Sequence, residues 1–585
     1  MFKRDKKVES NQICPSKALF WGLLLTSFAA TLKCIFVSLQ MDEEYAISLS
    51  YRLLLNDRLF TEIWDPHQTS AFLIQFFIWL YMKITGTTTY VVIFVRFVGT
   101  IIHGLVAYYL YRCLCYETKR EYAFYLSLVY FSLLPKTYIM PEFSNMMVWA
   151  LTMLLLCLSR LVRLEKQEAV WNRKMLWACV EAGFWICFMV LSYPSCIIIY
   201  PFIVWYLWKY STYKKQTIGI VTSVCVASGL LYILWLLSYM NVSELVANIQ
   251  SLVASCGSHG DGIGRKLEIY GFDIGCLIVF GGGYIIASLV LRYFILRKRN
   301  EATSKQEKIV EWMFIFLITA FLLQFIHWIL MLWEYESSYP FTSYFFIFGF
   351  AFYCVKKSDG ATFDTNQKQM ISLWLWGNIV MYIAILMLTN LTLFTSIKYL
   401  MPGVVVAVLA LIKYAEKNLP EVSNKWAKPL LITWCFVAIF VKGWAYTDDD
   451  GLMKNITCVR NIISEGPAKG IFTEYMQGYM QESIYEELHT YVQPGEKRMV
   501  VDSHTLCYLY QHVEVASPIT ICTPTFDENL LDYWERNPDK YPDVVAIRCW
   551  YGELMWKEGW VTQWLDEEYE ASQVIDGKYM RYYIR

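Results

Sequence analysis

The 585 residues predict a polytopic α-helical membrane protein with a small α/β unit at its C-terminal end. Three observations carry this. Apolar runs of about twenty residues, each long enough to cross a bilayer, recur along most of the chain. The composition is 56% hydrophobic and 17% charged, far from that of an ordinary soluble domain. Basic clusters mark alternate ends of the runs, the asymmetry that sets membrane orientation. Formal net charge is +0, so no global field draws nucleic acid. The 17 cysteines are scattered, mostly inside apolar runs and without a CxxC pair, so they signal neither a disulfide framework nor a zinc cluster. Aromatics at 17% suit the two interface belts.

Lys3, Arg4, Lys6 and Lys7 precede the first run, 18–40, which has no small-residue cleavage site behind it. It reads as an uncleaved first helix with a cytoplasmic N-terminus. Three consecutive acids, Asp42, Glu43 and Glu44, follow at once and are therefore external. Acids at a membrane exit are costly unless they act or face water. Residues 44–55 place Ala46, Leu49 and Leu53 opposite Ser48, Arg52 and Asn56, a pattern that predicts a helix lying in the interface. The apolar stretch 70–83 is short for a span. Because 90–114 ends at Arg112, Lys119 and Arg120 and so runs inward, 70–83 is expected to stay outside.

The runs 122–138, 143–164, 175–191, 196–208, 217–239, 272–296, 309–333, 341–355, 370–388, 396–412 and 430–446 then alternate in direction. Their basic ends, such as Arg160 and Arg163, Lys214 and Lys215, Lys356 and Lys357, and Lys413 and Lys417, all fall on one side. The total is about thirteen spans. An odd number leaves the tail outside. The expected division is 1–446 for the membrane part and 447–585 for an extracytoplasmic unit. In the tail, 499–501 and 544–547 read as short buried strands and 472–491 and 528–536 as helices, punctuated by prolines. The tail carries no phosphate-cradling glycine motif and no nucleophile-elbow pattern.

An alcohol is a weak nucleophile, so its transfer reactions need a base, and a carboxylate within hydrogen-bond reach serves. Asp42 stands at the membrane surface, where a lipid-borne substrate would be met. The competing reading is that the three acids cap a helix at its positive end.

Asp42-Glu43 with Tyr45, placed after the first span, resembles the DE motif of the GT-C superfamily of polytopic glycosyltransferases. Asp65-Pro66-His67 before an apolar helix resembles its HPPL or KPPL segment, with Gln68 and Thr69 where prolines are usual. Arg96 resembles an arginine that recurs near the outer end of the second span. Lys398-Tyr399-Leu400-Met401-Pro402 resembles the RYLLP segment of a late span, with lysine for arginine. The membrane part as a whole looks like the protein O-mannosyltransferases, the lipid A aminoarabinose transferases and the bacterial RgtA/B/C/D-like transferases. The resemblance implies a polyprenyl-phosphate-linked sugar donor and an inverting transfer to a cell-surface glycan, lipid or protein at the outer face of a plasma membrane. In that reading Asp42 is the base, Glu43 orients the loop or helps hold a metal, and Glu142 is a second site acid in the next external turn. Arg96, Lys398 and Tyr399 meet the donor phosphate, with Lys136 a further cation. His67 and Asp65 belong to the acceptor side or its loop. A divalent metal is left open. The loop 256–264 is expected to be mobile, and its single His259 and Asp261 fall short of a metal site. Trp333 to Glu336 reads as part of the interface belt. Two other classes stand beside this one. A transporter or flippase of lipid-linked or surface-polysaccharide precursors would place ionisable groups mid-membrane. A non-catalytic receptor would leave the acid loop unexplained.

Overall fold

The structure is a computed structural model that describes residues 17–133, 138–168, 170–258, 263–296, 304–330, 342–389, 391–445, 461–493, 497–521, 528–555 and 560–585. Lys136, His259, Asp261 and the segment 333–336 lie outside these.

The membrane part is a succession of helices: α1 (Lys17–Phe36), α2 (Met41–Leu54), α3 (Gln68–Thr85), α4 (Val91–Leu114), α5 (Arg120–Ser132), α6 (Phe143–Gln167), α7 (Arg173–Ser192), α8 (Ile199–Tyr210), α9 (Lys214–Leu236), α10 (Val242–Ser258), α11 (Ile263–Leu296), α12 (Lys305–Leu330), α13 (Ser343–Lys357), α14 (Thr365–Leu388), α15 (Met401–Asn418) and α16 (Pro420–Phe440). Among the described residues nine of these, α1, α4, α6, α7, α9, α11, α12, α14 and α16, are long and apolar enough to cross a membrane. The chain is thus a multi-pass membrane protein. The expectation of about thirteen spans rests on four further helices, α5, α8, α13 and α15, which that measure leaves out. Helices α5, α8 and α13 have only 13, 12 and 15 residues.

Helix α6 is the axis of the bundle. Most of its apolar window, 78%, is buried, against α7, α4 and α14. Helices α9 and α11 instead leave Leu231, Leu234, Ile278 and Val279 exposed, an apolar surface suited to lipid. Helix ends follow local chemistry. The Asp364 carboxylate accepts the Gln367 N–H and starts α14 with a capping box. Gly86, at φ 70°, ends α3 in the left-handed conformation that glycine takes without strain.

Two expectations are corrected. Helix α2 does not lie in the interface with one wet face. Residues Glu43 to Arg52 are all buried, because the C-terminal unit covers the polar side. The connection 241–270 between the predicted runs 217–239 and 272–296, expected as an external loop, holds the helix α10 and the start of α11.

In the C-terminal unit β1 (Asn461–Ile462) pairs with β2 (Phe472–Thr473), and α17 (Tyr475–Tyr491) leads to β3 (Arg498–Val501). After α18 (Cys507–Tyr510) come β4 (Glu514–Val515), α19 (Glu528–Arg536), β5 (Val544–Trp550), β6 (Glu553–Leu554), α20 (Trp560–Glu567), β7 (Gln573–Asp576) and β8 (Met580–Ile584). The sheet order is β4-β3-β5-β8-β7, parallel across its first three strands and antiparallel beyond, with β6 folded back on β5. Both predicted strands are therefore the hydrophobic centre, β3 and β5. The predicted helix 472–491 begins instead as strand β2. Trp64, from the α2–α3 connection, is buried in the same apolar cluster as Val545, Tyr533 and Trp564, so the two parts share a core.

Candidate active site

The site is built where α1 ends and α2 begins. Helix α1 leaves its last carbonyls without intrahelical donors. Arg96, on α4, meets them: its Nη1 donates to the carbonyls of Cys34, Ile35 and Val37 at 3.3, 3.0 and 3.2 Å, and Nη2 to Ser38 at 2.6 Å. The same guanidinium grips Glu43 bidentately, with Nε to Oε1 at 2.6 Å and Nη2 to Oε2 at 2.5 Å. Both side chains are at most 1% exposed. All donor directions of Arg96 are spent within the protein. Arg96 is therefore not placed to hold a donor phosphate, and Glu43 is not placed as base or metal ligand. Their pair is the fastener that sets α2 at its angle to α1, a use for which the planar fork of arginine is suited.

The neighbouring acids part company. Glu44 points to the C-terminal unit, where Gln481 Nε2 donates to its Oε1 at 3.0 Å. Burial, reinforced by Glu43, pushes the Glu44 carboxyl up to about 8. Asp42 is the half-exposed member of the trio, whereas Glu43 and Glu44 are buried. Its charge bears on the phenols of Tyr138 and Tyr399, and the charge of Glu142 bears on the same two. Chain segments distant in sequence thus meet in one acidic and phenolic setting.

Glu142 reaches it as the N-cap of α6. Its carboxylate accepts Asn145 N–H at 2.5 Å and Ser144 N–H at 3.0 Å, and it is fully buried. Asn145 in turn donates through Nδ2 to the carbonyls of Tyr138 and Met140 at 3.2 and 3.0 Å, which closes the 138–142 turn. The turn lies hard against α4. A Cβ on Gly99 would stand 2.4 Å from Met140 Cα and 2.5 Å from Ile139 O, a separation only glycine permits. Tyr399 is in the 3₁₀ turn Ile397–Leu400, and its hydroxyl donates to Ser144 Oγ at 3.0 Å. Lys398 occupies the same turn.

The Asp65-Pro66-His67 segment braces α3. Asp65 is buried, accepts the His67 N–H at 3.0 Å and is hydrogen-bonded by the Tyr45 hydroxyl. Burial raises its carboxyl above the usual carboxylate range. His67 stacks flat on Phe143, with ring centroids 3.9 Å apart and planes at 3°, and also meets Tyr193. The structure thus brings His67 beside the first residue of α6, next to Glu142, as a packing group. Among the described residues no group of three or more His, Cys, Asp or Glu side chains converges as a metal-binding set, so Asp42 and Glu142 do not by themselves complete one.

Sequence reasoning missed Tyr138, Ser144 and Asn145. Tyr138 is the last residue of the predicted run 122–138 and is given no role there. Its one signal was its position four residues before Glu142.

No protein-family model matches the chain, and no curated protein is similar to it in sequence. Solved structures do show a distant likeness. One is the crystal structure of an oligosaccharyltransferase from Archaeoglobus fulgidus in complex with Zn and sulfate: 13% identity, TM-score 0.46, covering 90% of this chain and 67% of that one. The same organism's enzyme tethered to an acceptor peptide gives 12% identity and a TM-score of 0.44, covering 91% and 69%. Its complex with an inhibitory peptide and a dolichol-phosphate gives 12% and 0.42, covering 91% and 70%.

Proposed function

We propose that this chain is a glycosyltransferase of GT-C type, moving a sugar from a polyprenyl-phosphate donor to an acceptor at the outer face of the membrane with inversion. The observation that carries the reading is the placement of Asp42. It is a partly exposed carboxylate on the first turn of a buried helix that the Arg96–Glu43 pair holds rigid. Such preorganisation is what a general base needs.

In the reaction, Asp42 accepts the proton of the acceptor nucleophile. The nucleophile forms its bond to the anomeric carbon from the face opposite the phosphate. The bond from that carbon to the phosphate oxygen breaks, and polyprenyl phosphate leaves with the electron pair. Lys398 is the cation assigned to the leaving phosphate, and Tyr399 fixes the turn that carries it through Ser144. The plasma membrane is assigned through the resemblance to surface transferases, and the orientation, N-terminus inside and C-terminal unit outside, by the distribution of basic residues. The acceptor is a surface glycan, lipid or protein.

The transporter reading draws no support from Asp273, an acid buried within the α11 span. Its carboxylate accepts the Leu393 N–H at 2.7 Å and so braces the segment leading to Tyr399. The test is transfer in proteoliposomes supplied with a panel of labelled polyprenyl-phosphate pentoses and hexoses, together with a lysate-derived acceptor mixture. Asp42→Asn should lower transfer by about a hundredfold while polyprenyl phosphate still binds. Equal transfer by the Asn variant removes the base assignment.

A further inference from the structure

The 138–142 turn and the first turn of α6 hold two buried polar atoms that no described residue engages. Tyr138 is 3% exposed and Asn145 fully buried, yet the Tyr138 hydroxyl and the Asn145 Oδ1 have no hydrogen-bond partner among the described residues. Buried polar groups are normally satisfied, because an unmade bond forfeits hydration without return. Neither group can relax to find one cheaply. Asn145 is locked by its amide donating to two carbonyls, which also fixes which side-chain atom is the oxygen. Tyr138 is locked because its turn is pressed on Gly99. Between them they offer one donor and one acceptor, the two capacities of an alcohol.

The surrounding charge decides what the partner is. Asp42 and Glu142 bear on the Tyr138 phenol, and Arg96 is committed to Glu43. At the Tyr138 hydroxyl itself Asp42 and Glu142 favour a neutral hydroxyl over an anion, and the phosphate is left to Lys398 in the Ile397–Leu400 segment. We propose that Tyr138 and Asn145 form a subsite for ring hydroxyls of the transferred sugar, with the Tyr138 phenol donating to one hydroxyl oxygen and Asn145 Oδ1 accepting from a hydroxyl. The proposal rests on the glycosyltransferase reading and adds to it the position of the sugar relative to the base.

The experiment uses the full-length protein in lipid nanodiscs and follows thermal unfolding with bare polyprenyl phosphate and with the polyprenyl-phosphate sugar panel. Wild type should be stabilised by both, and more by at least one sugar-bearing lipid. Tyr138→Phe should unfold at or above the wild-type temperature without ligand, because it deletes an unused buried hydroxyl. It should keep the shift from bare polyprenyl phosphate, lose the extra shift from the sugar, and transfer about tenfold more slowly. A Tyr138→Phe protein that keeps the sugar increment overturns the subsite, as does one destabilised without ligand, since its hydroxyl then has a structural partner. If wild type is shifted by no polyprenyl lipid, the glycosyltransferase reading falls, and the subsite with it. If wild type responds normally and only the variant disagrees, the subsite alone falls.

Discussion

At the scale of single residues, one guanidinium decides how the acid cluster is divided. Arg96 neutralises Glu43 and caps α1, which leaves Asp42 as the acid of that turn with solvent access. Removing one member of a buried pair strands the other charge, so Arg96→Ala should cost about 3–5 kcal/mol. The Arg96→Met, Glu43→Met double variant should recover much of that loss, since no charge is left unpaired. Chemical denaturation of the purified protein checks this. A double variant no more stable than Arg96→Ala alone would mean the pair is not the source of the cost. Glu44 gives a second prediction. Its folded-state value of about 8 lies above the ordinary 4.5, so the folded protein binds the extra proton. Stability is fully retained below the ordinary value and falls as pH rises between the two. The melting temperature should therefore drop between about pH 4.5 and pH 8 and level off above, and Glu44→Gln should flatten that drop. An unchanged slope in Glu44→Gln would assign the pH dependence elsewhere.

At the scale of elements, α2 and the 138–142 turn are positioned by what presses on them. Helix α2 has acids at its positive end, as its dipole favours. Its amphipathic pattern would equally suit a membrane surface. It is instead enclosed: Ser48 Oγ donates to Thr505 O at 2.7 Å, Tyr51 bonds His512 Nδ1 at 2.7 Å, and Arg52 pairs with Asp57 at 2.8 Å. The α4–turn contact has no room for a side chain. Gly99→Ala should therefore cost about 1–3 kcal/mol and slow transfer by moving Tyr138 and Glu142, measured as paired unfolding and turnover assays. A Gly99→Ala protein with wild-type stability and rate would show that the turn can yield.

At the scale of the whole molecule, the C-terminal unit works as the outer wall of the site rather than as an appendage. Gln477 donates to Leu39 O at 2.7 Å, Ser38 N–H to Phe472 O at 2.8 Å, and Trp64 N–H to Pro518 O at 2.9 Å. Lys540 bridges Asp57 and Glu514 at 2.6 and 3.0 Å. A chain ending at 446 would bare the polar side of α2 and remove Gln481 from Glu44 and Lys540 from Asp57. It should lose transfer altogether and unfold at lower temperature in detergent. A truncated protein that retains transfer would show that α2 holds its place without that wall.

The sequence alone determined the class of fold. Apolar runs, basic ends and the buried strands 499–501 and 544–547 depend on local pattern, and local pattern is legible in one dimension. Asp42 was singled out by its place just beyond the first run, and Glu142 and Tyr399 only by the resemblance to GT-C motifs. What it could not settle was which charge meets which. Arg96 and Glu43 are separated by 53 positions, and Gln481 and Glu44 by 437. Whether a guanidinium grips a ligand, a carboxylate or a row of carbonyls depends on helix packing. Only the tertiary structure committed Arg96 inward, turned α2 from a surface helix into a buried one, and left the Tyr138 hydroxyl without a partner among the described residues. The physical reason is that burial and pairing are properties of neighbours in space, and in this chain the decisive neighbours lie 53 to 437 positions apart in sequence.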